Sequence, residues 1–142
     1  MIGGAGVFDW RFFTLSRGTI ARFDPKYKSE MVEAGNARIV IVLTTLGADA
    51  DAAAFAETLV KERLAACVNV LPEMTPVYRW KGQVEHDREQ QLLIKTTSDQ
   101  LDRLAARLRD LHPYEVPEVI VLDGSASEAY AAWVAESTSR GD

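Results

Sequence analysis

Two stretches of this chain follow the same plan, strand then helix then strand, and a tight hairpin joins them. This order constrains the fold more than any other feature. The first unit opens on Ile39-Val40-Ile41-Val42-Leu43, a continuous apolar and β-branched run of the kind that forms a strand buried on both faces. Thr44 and Thr45 extend it. Asp49 is placed to cap a helix in which Ala52, Phe55, Ala56, Leu59, Val60 and Leu64 recur at helical spacing. Cys67-Val68-Asn69-Val70-Leu71 returns as a second strand, with Pro72 and Pro76 limiting how it pairs. Val77-Tyr78-Arg79-Trp80 resumes extended structure and Lys81-Gly82 turns it, glycine supplying the backbone freedom of a two-residue hairpin.

The second unit mirrors the first. The chain returns through Gln83-Val84-Glu85-His86 and then Gln90 to Thr96, where Leu92, Ile94 and Thr96 face one side and Gln91, Leu93 and Lys95 the other. Ser98 is placed to cap a helix with Leu101, Leu104, Leu108 and Leu111 at spacings of three and four. His112-Pro113 ends it, because a residue before proline resists helical geometry. Pro117 to Leu122 reads as the fourth strand. Ser125 and Glu128 match a capping box, opening a last short helix with Ala129, Tyr130, Trp133 and Val134. Two split βαβ halves of this kind predict an α+β, ferredoxin-like sandwich: an antiparallel sheet with two helices on one face, plus an extra C-terminal helix.

Composition narrows the function classes. A chain of 142 residues makes one ordinary domain and buries a core without disulfides or metals. The single cysteine, Cys67, rules out an internal disulfide framework and a paired-cysteine zinc site, and it suits a reducing compartment. No stretch approaches eighteen consecutive apolar residues, so no membrane-spanning helix is expected. The net charge is −5. Residues 1–37 hold five basic side chains against four acidic ones, which leaves eleven basic against seventeen acidic in 38–142. An acidic domain without a basic stripe is a poor nucleic-acid binder, and cations are its more natural partners.

Residues 1–37 differ in kind from the rest. They hold six of the twelve aromatics (Phe8, Trp10, Phe12, Phe13, Phe23 and Tyr27) without a helical or strand period. Asp9 and Arg11 interrupt the only apolar patch, which argues against a secretory signal. Three readings remain open: a flexible extension, an aromatic arm that packs on a partner subunit, or an upstream reading of a gene that starts at Met31. The domain itself is taken as 38–142.

Catalytic motifs are scarce. The chain has no glycine-rich phosphate loop, no Gly-x-Ser-x-Gly elbow and no histidine pair at metal spacing. Cys67 and His112 could serve as nucleophile and base if the fold brought them together, but Cys67 after Leu64-Ala65-Ala66 reads better as a small core residue. No enzymatic activity and no organic cofactor are therefore expected. His112-Pro113-Tyr114-Glu115-Val116-Pro117-Glu118 packs an imidazole, a phenol and two carboxylates between stiffening prolines. Imidazole with carboxylate suits Cu(II) or Zn(II). The alternative is a helix-to-strand connector with His112 at the helix C-terminus. Tyr78, Trp80, Tyr130 and Trp133 are either core residues or the covering of strand edges by oligomerisation.

Five motifs in order and spacing, Leu64-Ala65-Ala66-Cys67-Val68-Asn69, Pro72, Tyr78-Arg79-Trp80-Lys81-Gly82, Leu93-Ile94-Lys95-Thr96 and His112 to Glu118, resemble the CutA divalent-cation tolerance family from about Ile39 to Thr138. The resemblance implies a cytoplasmic homotrimer with strands paired across subunits, a role in tolerance to copper and other divalent cations, and no nucleic-acid or membrane partner. It also places Cys67, Trp80, Lys95, Tyr114 and Glu118 at candidate clefts between subunits. Proposed copper ligands of bacterial family members fall on Thr44, Leu111 and His112, and here only His112 keeps a ligand type. A hydroxyl is a far poorer copper ligand than a thiolate. The expectation is thus weaker binding of Cu(II) or a related ion, through His112 with carboxylate help and between subunits. The family's similarity in architecture to trimeric PII signalling proteins supplies the alternative, a small-ligand-binding signalling or scaffold trimer without a metal function.

Overall fold

The computed structural model describes residues 31–32 and 38–140. The readings offered for residues 1–37 lie outside the described residues, apart from one short strand. In chain order the elements are β1 (Met31–Val32), β2 (Ile39–Gly47), α1 (Ala52–Lys61), β3 (Cys67–Met74), β4 (Val77–Trp80), β5 (Gln83–His86), β6 (Glu89–Thr97), α2 (Leu101–Leu111), β7 (Ile120–Gly124), β8 (Ala126–Ser127) and α3 (Glu128–Thr138). A 3-10 turn, Ser98–Gln100, leads into α2. Strands β3, β6, β2 and β7 form a four-stranded antiparallel sheet in that order, with β4–β5 and β1–β8 as separate two-stranded ribbons. Each of the strands joined through α1 or α2 has another strand between them, which is the split βαβ arrangement expected of a ferredoxin-like sandwich.

Strand alternation divides the sheet into two faces. Val40, Val42, Thr44 and Leu46 of β2 are buried and stand opposite Thr96, Ile94, Leu92 and Gln90 of β6. On this side Val42 and Ile94 pack with Leu59 of α1 and with Leu104 and Leu108 of α2, so both helices cover one face. Each of these leucines contributes about 1.5–3 kcal/mol by leaving water. The opposite face carries Ile41, Leu43 and Thr45 alongside Lys95, Leu93 and Gln91. Among the described residues only one end of it is covered: Ala131 and Val134 of α3 pack on Ile39, and Thr138 Oγ1 lies 3.3 Å from Thr97 Oγ1. Along the edge strand β7, Ile120, Val121 and Leu122 stay 45–46% exposed.

Local chemistry explains the departures from expectation. Asp51, and not Asp49, caps α1, its carboxylate accepting from the Ala54 N–H at 2.9 Å, because a turn from Gly47 to Ala50 delays the helix. Ser98 caps nothing; its hydroxyl accepts from the Arg38 N–H at 3.0 Å and the chain enters α2 through the 3-10 turn. The capping box of Ser125 with Glu128 does not form: Ser127 occupies the cap position without a side-chain bond, in the short strand that pairs with Met31–Val32. The fourth strand starts at Ile120, since Pro117 and Glu118 belong to the connector that lines the site. Pro72 lies in a β-bulge between Val70 and Glu73, where a missing N–H costs no ladder bond. At the hairpin tip both Lys81 and Gly82 have positive φ, 45° and 84°, the signature of a type I′ turn.

Helix α1 ends three residues before Leu64 in a Schellman motif. Leu64 N–H reaches Leu59 O and Arg63 N–H reaches Val60 O, both at 3.0 Å. The left-handed position is Arg63, with φ of 56°, where glycine is the usual occupant. Left-handed geometry costs a side-chain-bearing residue about 1–2 kcal/mol, offset in part by the greater freedom glycine loses on folding. Arg63→Gly is therefore expected to stabilise each chain by about 0.5–1 kcal/mol, read as a raised midpoint in chemical unfolding.

Candidate functional site

His112 sits where α2 gives way to the connector, in extended backbone geometry forced by Pro113. Its Nε2 lies 3.0 Å from the Thr45 carbonyl and 3.1 Å from Thr44 Oγ1 at the end of β2. A carbonyl only accepts, so Nε2 carries the hydrogen and Nδ1 is left with its lone pair. That lone pair accepts from the Tyr114 backbone N–H at 3.1 Å. The ring is also flanked by Phe55, edge-on at 6.2 Å, and by Tyr114 at 5.1 Å. Burial among these groups pushes the imidazole below its ordinary value, against the upward pull of the Thr45 carbonyl and of Glu89. In this arrangement neither ring nitrogen has a lone pair free.

From this anchor the connector delivers Tyr114 and Glu118 to a cleft of about 850 Å3 facing the β4–β5 hairpin. The Tyr114 hydroxyl donates to Glu89 Oε1 at 2.8 Å. Burial first, and Glu89 second, raise the phenol, so it remains a donor. A Cβ at Gly47 would press on the Asp49 carboxylate, 2.9 Å away, and would meet the Tyr114 hydroxyl at an ordinary contact distance of 3.5 Å. Gln91 Nε2 donates to the Thr44 carbonyl at 2.9 Å and to Glu118 Oε2 at 2.8 Å. Across the cleft Tyr78 donates to Asp87, a bond that pushes its phenol up to about 12. Arg88, at the rim, is held by both carboxylate oxygens of Glu73 at 2.6 and 2.7 Å.

The residues singled out from sequence divide into two groups. Trp80, Tyr114 and Glu118 meet at the cleft, with His112 and the fully buried Thr44 behind it. Leu111 packs into the helical core instead. Cys67 and Lys95 are cross-strand partners on the open face, four strand positions and roughly 13 Å from Gln91. One chain therefore does not bring all five candidate cleft residues together. Nor does it pair Cys67 with His112: Cys67 shares the open face with Lys95, whereas His112 bonds Thr44 on the helix side. Among the described residues no three His, Cys, Asp or Glu side chains converge to hold a metal ion. No helix among them is long and apolar enough to cross a membrane. Sequence reasoning missed Glu89, Asp87 and Gln91. Gln91 was read only as one of the open-face residues of its strand, beside Leu93 and Lys95.

Residues 40–137 match the family described as CutA1 divalent ion tolerance protein. The chain belongs to the CutA1 family. The CutA divalent-cation tolerance protein of Thermus thermophilus is 43% identical over 99 residues, which cover 69% of this chain and 96% of that protein. The CutA homolog of Xenopus laevis is 46% identical over 82 residues, 57% of this chain, and the match spans about half (54%) of that longer protein. Among solved structures, CutA1 of Thermus thermophilus superposes with a TM-score of 0.68 at 42% identity, covering 71% of this chain and 99% of the other. CutA of Synechococcus elongatus gives 0.71 at 37% identity, covering 79% and 98%. These CutA relatives confirm the ferredoxin-like architecture read from the two strand–helix–strand units.

The buried imidazole has a testable consequence. The unfolded chain protonates His112 near its ordinary value of about 6.5, whereas the folded chain holds it neutral to lower pH. Protonation would also set an N–H against the Tyr114 N–H. The site's contribution to stability is thus present above about pH 6.5 and is lost as the pH falls through the depressed folded value. His112→Phe should cost about 1–3 kcal/mol at pH 7.5 by orphaning two partners, and it should flatten the pH dependence of the urea midpoint between pH 7.5 and 5.

Proposed function

We propose that this protein acts in divalent-cation tolerance as a cytoplasmic homotrimer that takes up Cu(II) or a related divalent ion, its clefts being completed by neighbouring subunits. The observation that carries the assembly is a sheet left largely uncovered by the described residues: an edge strand with Ile120, Val121 and Leu122 exposed, beside a face of half-buried Ile41, Leu43 and Leu93. Such an edge calls for a covering partner, and a second and third copy of the chain supply one. The family supports the tolerance role. The acidic side chains at the cleft attract cations, while the described residues of one chain offer no ready-made metal site. An ion at His112 has to take Nδ1 from the Tyr114 N–H or Nε2 from Thr45, so binding there is weak and coupled to opening of the connector.

The same hydrogen bonds favour a second reading, in which the trimer binds a small organic ligand, as PII-like proteins do, and has no metal function. Native mass spectrometry of the full-length chain, with and without one equivalent of Cu(II), separates the two. A species at three times the 15.7 kDa chain mass that takes up copper, with affinity at least about tenfold lower in His112→Ala, supports the metal reading. The same trimer refusing copper moves the function to the second, and copper bound unchanged in His112→Ala overturns His112 as the ligand. A monomer at every concentration, with a melting temperature flat across a hundredfold dilution, overturns the assembly.

A further inference from the structure

We propose that the cleft between the β4–β5 hairpin and residues 113–118 binds an organic polycation, a flexible compound with two or more ammonium groups of the polyamine kind. This inference rests on the reading of that cleft as the functional site and names the chemistry of its ligand.

Charge is the first argument. Asp87, Glu89 and Glu118 line the cleft and take their hydrogen bonds from the neutral donors Tyr78, Tyr114 and Gln91. None of these three carboxylates is neutralised by those bonds. Arg88 is the only cationic side chain among the described residues lining the cleft, and Glu73 holds its guanidinium from outside. The part of the space built by one chain is therefore anionic, and its walls focus the field toward a cation.

Size and wall chemistry decide what sort of cation. A cleft of about 850 Å3 is far larger than a bare ion, and no three ligating groups converge within the described residues. Its walls include Met74, Pro76 and Pro113, which suit methylene links better than a hydrated metal. Three rings, Tyr78, Trp80 and Tyr114, border the same space at 37–48% exposure. Aromatic faces attract ammonium groups, with about 0.5–2 kcal/mol per contact. Trp80 already has the Lys81 ammonium 6.0 Å from its ring centroid. Carboxylates spaced among rings and short apolar surfaces match a chain of ammonium groups joined by methylenes.

The test is isothermal titration calorimetry of the full-length protein with spermidine at low ionic strength. Saturable binding is expected, weakening as salt is added. The double variant Asp87→Asn/Glu89→Gln removes two charges while its amide oxygens still accept from Tyr78 and Tyr114. It should bind at least about tenfold more weakly, and Trp80→Leu about three- to tenfold more weakly. Glu57→Gln/Asp110→Asn, the same charge change on exposed helix positions away from the cleft, should bind as the native chain does. No binding by the native chain, an equal loss in this helix control, or full affinity in Trp80→Leu would each overturn the proposal. A trimer that takes up Cu(II) and ignores spermidine refutes this inference alone. A monomer that binds spermidine through these residues refutes the assembly and leaves this inference standing.

Discussion

The imidazole of His112 joins three segments that the backbone alone leaves independent: the C-terminal end of α2, the last residues of β2 and the connector to β7. Its Nε2–H is committed to the Thr45 carbonyl and its Nδ1 to the Tyr114 N–H, so ring tautomer, ring orientation and connector path are determined together. Once Tyr114 is held at that angle, its hydroxyl reaches Glu89, and Gln91 two residues further along β6 reaches Glu118. The cleft wall is thus a chain of hydrogen bonds that begins at one buried ring. At the buried ring itself, leaving a partner unpaired costs more than in water, whereas the Tyr114–Glu89 bond further along lies exposed.

A second constraint acts at the level of the sheet. With α1 and α2 both on one side, the other side has, among the described residues, only α3 at one end to cover it. In a single chain the apolar residues of β7 are exposed, Ile41, Leu43 and Leu93 of the open face are half-buried, and the β4–β5 hairpin carries Val77, Trp80 and Val84 outward. Edge strands of this kind pair with something. That geometry supports the assembly proposed above.

The fold was largely legible because periodicity reports burial. Alternation in Gln90 to Thr96 separated the two faces correctly, the leucines of α2 fell on the core side, and Lys81-Gly82 turned as its residue types require. Helix starts were less legible. Asp49, Ser98 and Ser125 all have capping chemistry, yet the geometry of the preceding turn decides which side chain reaches the free N–H groups. The left-handed Arg63 was invisible for the same reason: nothing in its residue type announces a Schellman motif.

At the site, sequence by itself determined the inventory: one imidazole, one phenol and two carboxylates on a stretch stiffened by Pro113 and Pro117, in an acidic domain. It also determined that His112 closes a helix, since proline follows it. Tertiary structure alone decided the partners. Tyr114 meets Glu89 across 25 residues of chain and Gln91 meets Glu118 across 27. Those pairings depend on the register of β6 against β2 and on the path of the connector, and both are products of packing the whole sheet against its helices. Residue type sets what a side chain can do, whereas long-range register sets which side chain it does it with.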